Sequence, residues 1–591
     1  MRTFAAVDIG SNSCRLKIAR VVQHELRTVF EDREVTRLGE SVFETGLISP
    51  EAMVNTLRAL KRFYKAAQSY SVDRVRCVAT SAMRDARNAS AFRAWVKDET
   101  SWEIEVISGL EEARLIHHGV VSFEPGTAGR CLLMDLGGGS CEVILSEQRR
   151  IKAMTSLPLG AVRLTQEFLH SDPPTREEIT RMKQWIAREL RRAARRIDAE
   201  GVRTVIATSG TAAALASASA AIERVQKSGA RLLLGAAGAG SGVQAKRLKK
   251  ESVKGRVGKG GTGGLLLPKQ AGRAQQKAQW KVSSDAVARK IASRSSKADA
   301  QVVVVPEEIS AAGKTATTEQ VRQLTDKLTK LNNVARAGVD GIGARRSEII
   351  VAGAHVYAEL LEHYDLPGFR YSPLGLRDGI LAQMLAEEDV SAAGHEGFER
   401  ERWAGVLEVC RRYGVDTKQA EPVRAHAVQL FRDLAPVHGL PEEYALYLET
   451  AAMLRDVGKF LSHQGYHRHA QYIIANSEIY GFASQQRLLI SVIARYLGKS
   501  RPAPESRTMR QVPPEEYERI RRAVVLLRLA AGLNQDRASG VLKVKTRVYP
   551  RQVILDLLPA RSGADLELWS LRKEADYFRE VFRRDLLVTL P

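Results

Sequence analysis

Residues 132–145 have the sequence LLMDLGGGSCEVIL, in which two apolar runs flank an acidic residue, three glycines and a second acidic residue. The runs predict the strands of a hairpin, and its glycines allow positive φ in the turn. Successive N–H groups in such a turn form a concavity that holds phosphate oxygens. Asp135 and Glu142 lie on either side, and carboxylates beside a phosphate pocket indicate a bound cation, Mg²⁺. The alternative is a glycine-rich hairpin with two solvated acids.

Two further segments repeat this pattern. Residues 7–18, VDIGSNSCRLKI, again join a strand, an Asp, a Gly and small polar residues to a second strand. Residues 205–211, VIATSGT, predict a strand that ends in a small-residue turn before an Ala-rich helix, whose N-terminus can also face an anion. The three segments together resemble the phosphate-binding loops of the superfold shared by actin, sugar kinases and heat-shock chaperone ATPases. That resemblance implies phosphates in a cleft between two α/β domains.

Four more segments make the resemblance narrower. They are ATSAMRDARN at 79–88, VISGLEEARL at 106–115, SLPLGAVRL at 156–164 and SPLGLRDG at 372–379. In order and spacing, these segments are similar to those of the exopolyphosphatase and guanosine pentaphosphate phosphohydrolase (Ppx/GppA) family. Together with the glycine loops, the resemblance covers about 1–215 and 306–591 of the chain.

The composition is that of a soluble globular protein. The chain has 591 residues, too many for one hydrophobic core, with 44% hydrophobic and 27% charged residues. No apolar run approaches the roughly 20 residues of a membrane helix, and no signal peptide precedes the first strand, so we expect a cytoplasmic protein. The five cysteines form no CxxC pair. Cys14 and Cys141 lie inside two phosphate loops, where we expect small strand residues rather than catalytic thiols.

The net charge of +22 is concentrated in one segment. Residues 221–300 hold 18 lysines and arginines against four aspartates and glutamates. Low hydrophobicity with high charge predicts disorder or a loose excursion, so we interpret about 222–305 as an insertion. It is either a solvated loop or an auxiliary binding surface for polyphosphate or nucleic acid, whose affinity would depend on salt.

The alternation of predicted strands and helices indicates duplicated α/β domains of the actin-like type. We place the first domain at 1–125 and the second, which contains the insertion, at 126–390. The chain becomes all-helical over 395–545, and 546–591 predict a small α/β C-terminal cap.

The helical region resembles the HD-type domain of long family members. Arg455 stands where that motif has a metal-binding His, and a protonated arginine cannot ligate a metal. We therefore do not expect a second metallophosphohydrolase site, although His426 lies in a predicted helix of this region. Three nearby histidines predict a basic surface or a solvated loop: His463, His467 and His469.

A phosphoanhydride is already a good leaving group, so the protein has to position a water and neutralise phosphate oxygens. The resemblance implies Glu112, the second Glu of the EEAR motif, as the general base, with Glu111 as the second choice. For both, the alternative is a charge favoured at a helix N-terminus. The expected ligands of Mg²⁺ are Asp8, Asp135 and Glu142.

The remaining contacts would be made to phosphate. Arg84 is the expected cationic contact because its forked donors suit phosphate. Arg15 and Lys17 are two residues apart on a strand, so both side chains point to the same face of the sheet. The sequence leaves open whether this face lines the cleft. The expected phosphate-binding residues of the three loops are Gly10, Ser11, Asn12, Ser13, Gly137, Gly138, Gly139, Ser140, Gly210 and Thr211.

These observations predict an Mg²⁺-dependent exopolyphosphatase that removes terminal phosphates of inorganic polyphosphate processively. The close alternative is hydrolysis of guanosine pentaphosphate to tetraphosphate, since the motifs serve both activities. The long form and the basic segment favour the extended polyanion. A sugar or acetate kinase of the same superfold would need an adenosine pocket and a substrate acid, for which we find no motif. A non-enzymatic polyphosphate or RNA sensor is disfavoured by the intact acidic residues. Long family members are often dimers, so the resemblance also implies a homodimer.

Overall fold

The computed structural model describes residues 2–124, 126–238, 313–389, 391, 395–498, 500–535, 542–558 and 563–590, with backbone only over 225–238. The chain divides into two compact units, Met1–Ser219 with Val304–Pro591, and Ala220–Val303. Beyond Gly238 the predicted insertion lies outside the described residues, so its expected role as a binding surface stays a prediction. No helix among the described residues is both long and apolar enough to cross a membrane.

The described strands, in chain order, are β1 Thr3–Ile9, β2 Ser13–Val22, β3 Glu25–Val35, β4 Arg74–Ala79, β5 Ile104–Val106, β6 Cys131–Leu136, β7 Cys141–Glu147, β8 Arg150–Leu157, β9 Thr204–Thr208, β10 Thr315–Thr317, β11 Gly368–Tyr371, β12 Lys543–Val548, β13 Gln552–Leu558 and β14 Asp585–Thr589.

The described α-helices are α1 Gly39–Thr45, α2 Pro50–Ser69, α3 Ser81–Asp85, α4 Ala89–Thr100, α5 Gly109–Phe123, α6 Ala161–Phe168, α7 Arg176–Ala194, α8 Ser209–Gly238, α9 Thr318–Lys330, α10 Asn333–Ala337, α11 Ile350–His363, α12 Leu376–Glu388, α13 His395–Arg412, α14 Thr417–Asp433, α15 Ala435–His438, α16 Glu443–Leu454, α17 Tyr466–Asn476, α18 Ser484–Arg495, α19 Tyr517–Gly532 and α20 Asp565–Phe582. Short 3₁₀ helices lie at Val457–Phe460, Met509–Gln511 and Pro514–Glu516.

The first sheet has the strand order β3-β2-β1-β4-β5. Strands β1 and β2 form the predicted antiparallel hairpin around the first loop, while β4 runs parallel to β1. Helix α2 begins at Pro50, where the Ser49 side chain caps the helix by accepting a hydrogen bond from the Ala52 amide at 3.2 Å. Its apolar face, including Leu60 and Phe63, is buried in the core of this sheet.

The second sheet has the order β10-β11-β9-β6-β7-β8, in which β6 and β7 confirm the hairpin predicted at 132–145. Strand β9 runs parallel to β6, so Asp135 is paired across the sheet with Glu142 on one side and Thr208 on the other. The register therefore brings the second loop and the third, small-residue turn to the same end of the sheet. The two sheets and their helices have the predicted actin-like α/β architecture.

Helices α5 and α12 pack with their backbones in close contact. A Cβ built on Gly379 would lie 1.8 Å from the Leu115 carbonyl oxygen, and one built on Gly119 would lie 2.3 Å from the Gly375 carbonyl oxygen. Only glycine fits at such distances. This packing sets the middle of α5, from Leu115 to Gly119, against the segment 375–379.

From His395 to Gly532 the described regular elements are helices, as predicted, and a three-stranded sheet of order β12-β13-β14 follows. The sheet begins at Lys543, slightly before the predicted start of the cap. One hydrophobic cluster contains buried residues of both parts, such as Leu448 and Val553, so the small sheet shares its core with the helices.

Candidate active site

A cavity of about 120 Å³ lies where the three loops meet. Predicted site residues that line it are Asp8, Gly10, Ser11, Asn12, Ser13, Glu112, Asp135, Gly137, Gly138, Gly139, Ser140, Gly210 and Thr211. Arg84 and Glu142 were also predicted, and they lie outside this lining. The tertiary structure thus gathers segments that lie as far apart in the chain as Asp8 and Asp378 into one polar concavity.

The backbones of the first and second loops lie in close contact. A Cβ on Gly138 would lie 3.1 Å from the Ser11 Cβ atom and 3.2 Å from the Asn12 amide nitrogen. The sequence-based expectation of positive φ at Gly137–Gly139 is wrong, because none of these glycines adopts the left-handed region. Glycine is required here because neighbouring side chains leave no room for a Cβ atom. A Cβ on Gly139 would lie 2.4 Å from the Ser81 hydroxyl oxygen.

Some loop amides donate hydrogen bonds within their own turns. The Gly10 amide donates to the Ser13 carbonyl at 3.2 Å, and the Gly137 amide donates to the Ser140 carbonyl at 3.0 Å. The carbonyls of Gly137 and Gly138 accept hydrogen bonds from the first amides of α6. The amides of Gly138 to Ser140 are therefore the candidate phosphate donors of the second loop.

The third turn is tied to the second hairpin. Ser209 has a φ of +73°, which is unusual for a residue with a side chain, and its hydroxyl donates to the Leu136 carbonyl at 2.7 Å. A Cβ on the next residue, Gly210, would lie 1.7 Å from a guanidinium nitrogen of Arg346. Arg346 therefore rests directly on the Gly210 backbone and lines the cavity.

Acidic groups are buried around the cavity. The Asp135 carboxylate accepts a hydrogen bond from the Thr208 hydroxyl at 2.6 Å. Burial raises the pKa of Asp8, an effect that the nearby guanidinium groups, first of all that of Arg15, oppose. Glu142 is fully buried and accepts a hydrogen bond from the Ser156 hydroxyl at 2.7 Å. Burial, with the charges of neighbouring carboxylates, raises its pKa well above the usual value.

Glu112 lies in the first turn of α5. The helix begins there because the Ser108 hydroxyl caps the Glu111 amide at 3.1 Å. Glu112 is only 8% exposed, and its Oε2 accepts a hydrogen bond of 2.8 Å from Nη1 of Arg84. Burial raises the pKa of Glu112 to about 7, with a contribution from the acidic groups nearby and against the lowering effect of Arg84. Glu111 instead pairs with Arg114 at 2.8 Å.

The cations at the cavity differ from those predicted. Arg84 donates to Glu112 and to the Ile107 carbonyl rather than facing the cavity. Of the two basic residues on β2, Arg15 lines the cavity, while Lys17 forms ion pairs with buried acidic groups. Sequence reasoning missed the guanidinium groups of Arg33, Arg346 and Arg377. Arg377 could have been recognised from the sequence, because it belongs to the SPLGLRDG segment that carried the family resemblance.

Comparison with known proteins gives a clear family assignment. The chain matches the Ppx/GppA phosphatase family over residues 17–249 and 273–388. The chain belongs to the Ppx/GppA phosphatase family. Residues 401–576 match domain III of these phosphatases, so the helical region also belongs to a known family architecture. Residues 250–272, which separate the two matched ranges, lie within the basic segment of this Ppx/GppA chain.

Ppx/GppA relatives carry more than one activity name. Exopolyphosphatase 2 of Mycobacterium tuberculosis is 40% identical over 217 residues, which are 35% of this chain and 67% of that protein. Guanosine-5'-triphosphate,3'-diphosphate pyrophosphatase of Aeromonas hydrophila is 25% identical over 495 residues, which are 83% of this chain and 79% of that protein. The crystal structure of the Aquifex aeolicus family member is 25% identical, covers 66% of this chain and 99% of that chain, and has a TM-score of 0.45.

Two of the three predicted metal ligands of this Ppx/GppA chain lie at the cavity. Among the described residues, no group of three or more His, Cys, Asp or Glu side chains is placed to hold one. The three predicted ligands are thus not gathered into one cluster, because the Glu142 carboxylate is bound to Ser156 outside the cavity lining. Asp8 and Asp135 both line the cavity. They fit Mg²⁺, which proteins commonly hold with one or two carboxylates, waters and substrate phosphates.

The cysteines in the Ppx/GppA loops are structural. Cys14 lies in β2 and Cys141 in β7, and both side chains are buried. Burial raises the pKa of the Cys14 thiol to about 12 and that of Cys141 well above its usual value. Both thiols therefore stay protonated at neutral pH, which supports their interpretation as small strand residues.

In domain III, Arg455 donates hydrogen bonds to the carbonyls of Ala452 at 2.7 Å and Gln419 at 3.2 Å. Asp456 lies between this guanidinium group, at 3.6 Å, and Lys459, at 2.9 Å. Its carboxylate is thus bound to cations where an HD-type site would bind a metal.

Two histidines of domain III have lowered pKa values. His426 is 1% exposed without a hydrogen-bond partner at either ring nitrogen, and burial lowers its pKa to about 4. The predicted basic surface is wrong for His467, because burial lowers its pKa to about 4 as well. Both rings are therefore neutral at physiological pH.

Proposed function

We propose that this phosphatase is an exopolyphosphatase, which hydrolyses the terminal phosphoanhydride bond of inorganic polyphosphate and releases orthophosphate. The observation that carries the proposal is the position of Glu112 in the wall of the cavity formed by the three loops. With a pKa of about 7, this carboxylate is substantially ionised at neutral pH and still basic enough to accept a proton from water.

In the proposed reaction, the water oxygen bonds to the terminal phosphorus while the bond to the bridging oxygen breaks. Glu112 accepts the water proton, and the shortened chain leaves with the bridging oxygen. Backbone amides of the loops, with Arg15 and Arg346 at the cavity, hold the terminal phosphate oxygens. Asp8 and Asp135 would hold Mg²⁺, which neutralises the charge that develops on those oxygens.

Two observations favour inorganic polyphosphate as the substrate. The segment 221–300 carries a large excess of Lys and Arg, which suits an extended polyanion. The relative named exopolyphosphatase 2 is 40% identical where it matches this chain. The second candidate is guanosine pentaphosphate 5'-phosphohydrolase, which is favoured by the relative of that kind that matches 83% of the chain.

The experiment compares phosphate release from long-chain polyphosphate and from guanosine pentaphosphate, with Mg²⁺, by the full chain. We expect the higher kcat/KM on polyphosphate. A higher kcat/KM on the nucleotide would replace the proposal by the second candidate. No release from either substrate would contradict both and indicate a polyphosphate-binding sensor.

A further inference from the structure

A second cavity, of about 840 Å³, lies in domain III and shares no lining residue with the candidate active site. Its walls come from α14, α17, α19, α20 and the 3₁₀ turn Val457–Phe460. The volume is in the range of roughly 300–1,000 Å³ that small-molecule sites occupy. The function proposed above makes no use of this cavity.

Aromatic rings line one part of the cavity. The rings of Tyr413 and Phe460 meet edge to face, with 5.5 Å between their centroids. The rings of Tyr466 and His467 lie 3.7 Å apart, and the Lys459 ammonium group is 5.0 Å from the Tyr466 ring. Phe460 is 62% exposed, so its ring is accessible to a ligand that enters the cavity from solvent. Such rings provide faces on which a heterocyclic base can stack.

Oriented polar groups line another part. Arg455 is 8% exposed, and its hydrogen bonds to two backbone carbonyls fix the direction of its guanidinium group. Asn534 is also 8% exposed, and its amide nitrogen donates to the Gln419 carbonyl at 3.3 Å. Lys459 and the exposed His463 add donors for phosphate oxygens.

The charge of the lining decides which phosphate compound suits it. The acidic groups Asp416, Asp456 and Glu574 match the cations Arg455, Lys459 and Arg528 in number. A balanced lining does not suit a long polyanion, whose repeated charges need an excess of cations. A molecule with a large uncharged aromatic part and a single phosphate fits both the rings and the charge.

We propose that this cavity is a nucleotide-binding site, separate from the active site. The base stacks on the rings of Tyr413, Phe460 and Tyr466, and the phosphate binds near Lys459 and His463. Because Asp456 is bound to Arg455 and Lys459, the site binds its nucleotide without holding a catalytic metal. The proposal does not depend on which substrate the active site hydrolyses.

The test is a calorimetric titration of the full chain with AMP and with GMP, neither of which contains a phosphoanhydride bond. We expect one equivalent of at least one nucleotide to bind. Phe460→Ala and Lys459→Gln should each weaken this binding by about tenfold, because the first removes a stacking face and the second removes a donor to the phosphate. The matched control is Tyr472→Ala, which removes a 69% exposed ring of the same domain outside the cavity and should leave the affinity unchanged.

Adenosine, guanosine and orthophosphate are titrated alongside, and each should bind more weakly than the nucleotide. Phe460→Ala should fold normally because the ring is largely in solvent, and its rate of phosphate release should equal that of the unmodified chain. The proposal is overturned if neither nucleotide binds, or if both variants bind as tightly as the unmodified chain. It is equally overturned if orthophosphate binds as tightly as the nucleotide and is insensitive to Phe460→Ala, which would indicate a simple anion site.

Discussion

Nη1 of Arg84 lies 2.8 Å from Oε2 of Glu112, and the same nitrogen donates to the Ile107 carbonyl at 2.9 Å. The contact joins α3 to the first turn of α5. Arg84 therefore holds the buried carboxylate in one orientation and stabilises its ionised form, while burial favours the protonated form. We infer that Arg84 is a positioning residue for the proposed base rather than a direct phosphate contact.

Replacing the proposed base should abolish most of the activity. Glu112→Gln keeps the shape of the side chain, but an amide cannot accept the water proton, so phosphate release should fall by roughly 10²–10⁴-fold. Initial rates on polyphosphate measure the effect. Glu111→Gln is the matched control, because Glu111 pairs with Arg114, and it should keep most of the activity. Equal losses in the two variants would argue against Glu112 as the base.

The pH profile should report the carboxylate of Glu112. Its pKa is raised to about 7, and only the ionised form is a base, so kcat/KM should decline as the pH falls below about 7. Arg84 lowers this pKa, so Arg84→Gln should move the acidic limb to higher pH. The measurement is kcat/KM from pH 5 to 9 for both proteins. A limb that stays in place in the variant would contradict this relationship.

The third turn should not tolerate a side chain at Gly210. A methyl group there would lie 1.7 Å from the Arg346 guanidinium, so Gly210→Ala must shift that cation from its position at the cavity. Misplacing a group by about 1 Å can reduce activity by about 10²-fold, and we expect a decrease of roughly tenfold or more in kcat/KM. Gly129→Ala is the control, since a Cβ there meets no atom within 4 Å. Similar kinetics for the two variants would disprove the steric argument.

Lys17 should matter for stability rather than for substrate binding. Its ammonium lies 2.6 Å from Asp378 and 3.0 Å from Glu31, and all three side chains are largely buried. Lys17→Met leaves Asp378 without this cation, while Glu31 keeps Arg377 at 4.0 Å, so the free energy of unfolding should fall by about 3 kcal/mol. Thermal unfolding should show a clearly lower midpoint. Lys97→Met breaks an exposed pair with Glu103 and should change the midpoint little; a comparable shift would count against the burial argument.

Removal of divalent cations should abolish phosphate release, and Mg²⁺ should restore it. Asp8→Asn and Asp135→Asn should raise the Mg²⁺ concentration that gives half-maximal activity, because both carboxylates line the cavity. Asp198→Asn alters an exposed carboxylate and serves as the control. The same titration with Glu142→Gln tests whether the third predicted carboxylate takes part. Full activity in the presence of a chelator would exclude the metal from the proposed reaction.

Local patterns in the sequence were sufficient for the architecture. The hairpin of β6 and β7 follows from two apolar runs around a glycine turn, and the hairpin of β1 and β2 follows from the same pattern at 7–18. Turn chemistry and hydrophobic periodicity involve neighbouring residues only, so they can be interpreted without knowing the fold. The same holds for the short motifs that indicated the family and the residues of the loops.

Contacts between distant segments could be decided only by the tertiary structure. Nothing near Arg84 in the sequence indicates that it binds Glu112, and nothing near Gly210 indicates that Arg346 rests on it. The glycines of the second loop line the cavity, but close packing rather than the expected positive φ requires them. Likewise, the cavity of domain III forms where several helices and a 3₁₀ turn meet. The direction and burial of a side chain depend on elements that the chain brings together only when it folds.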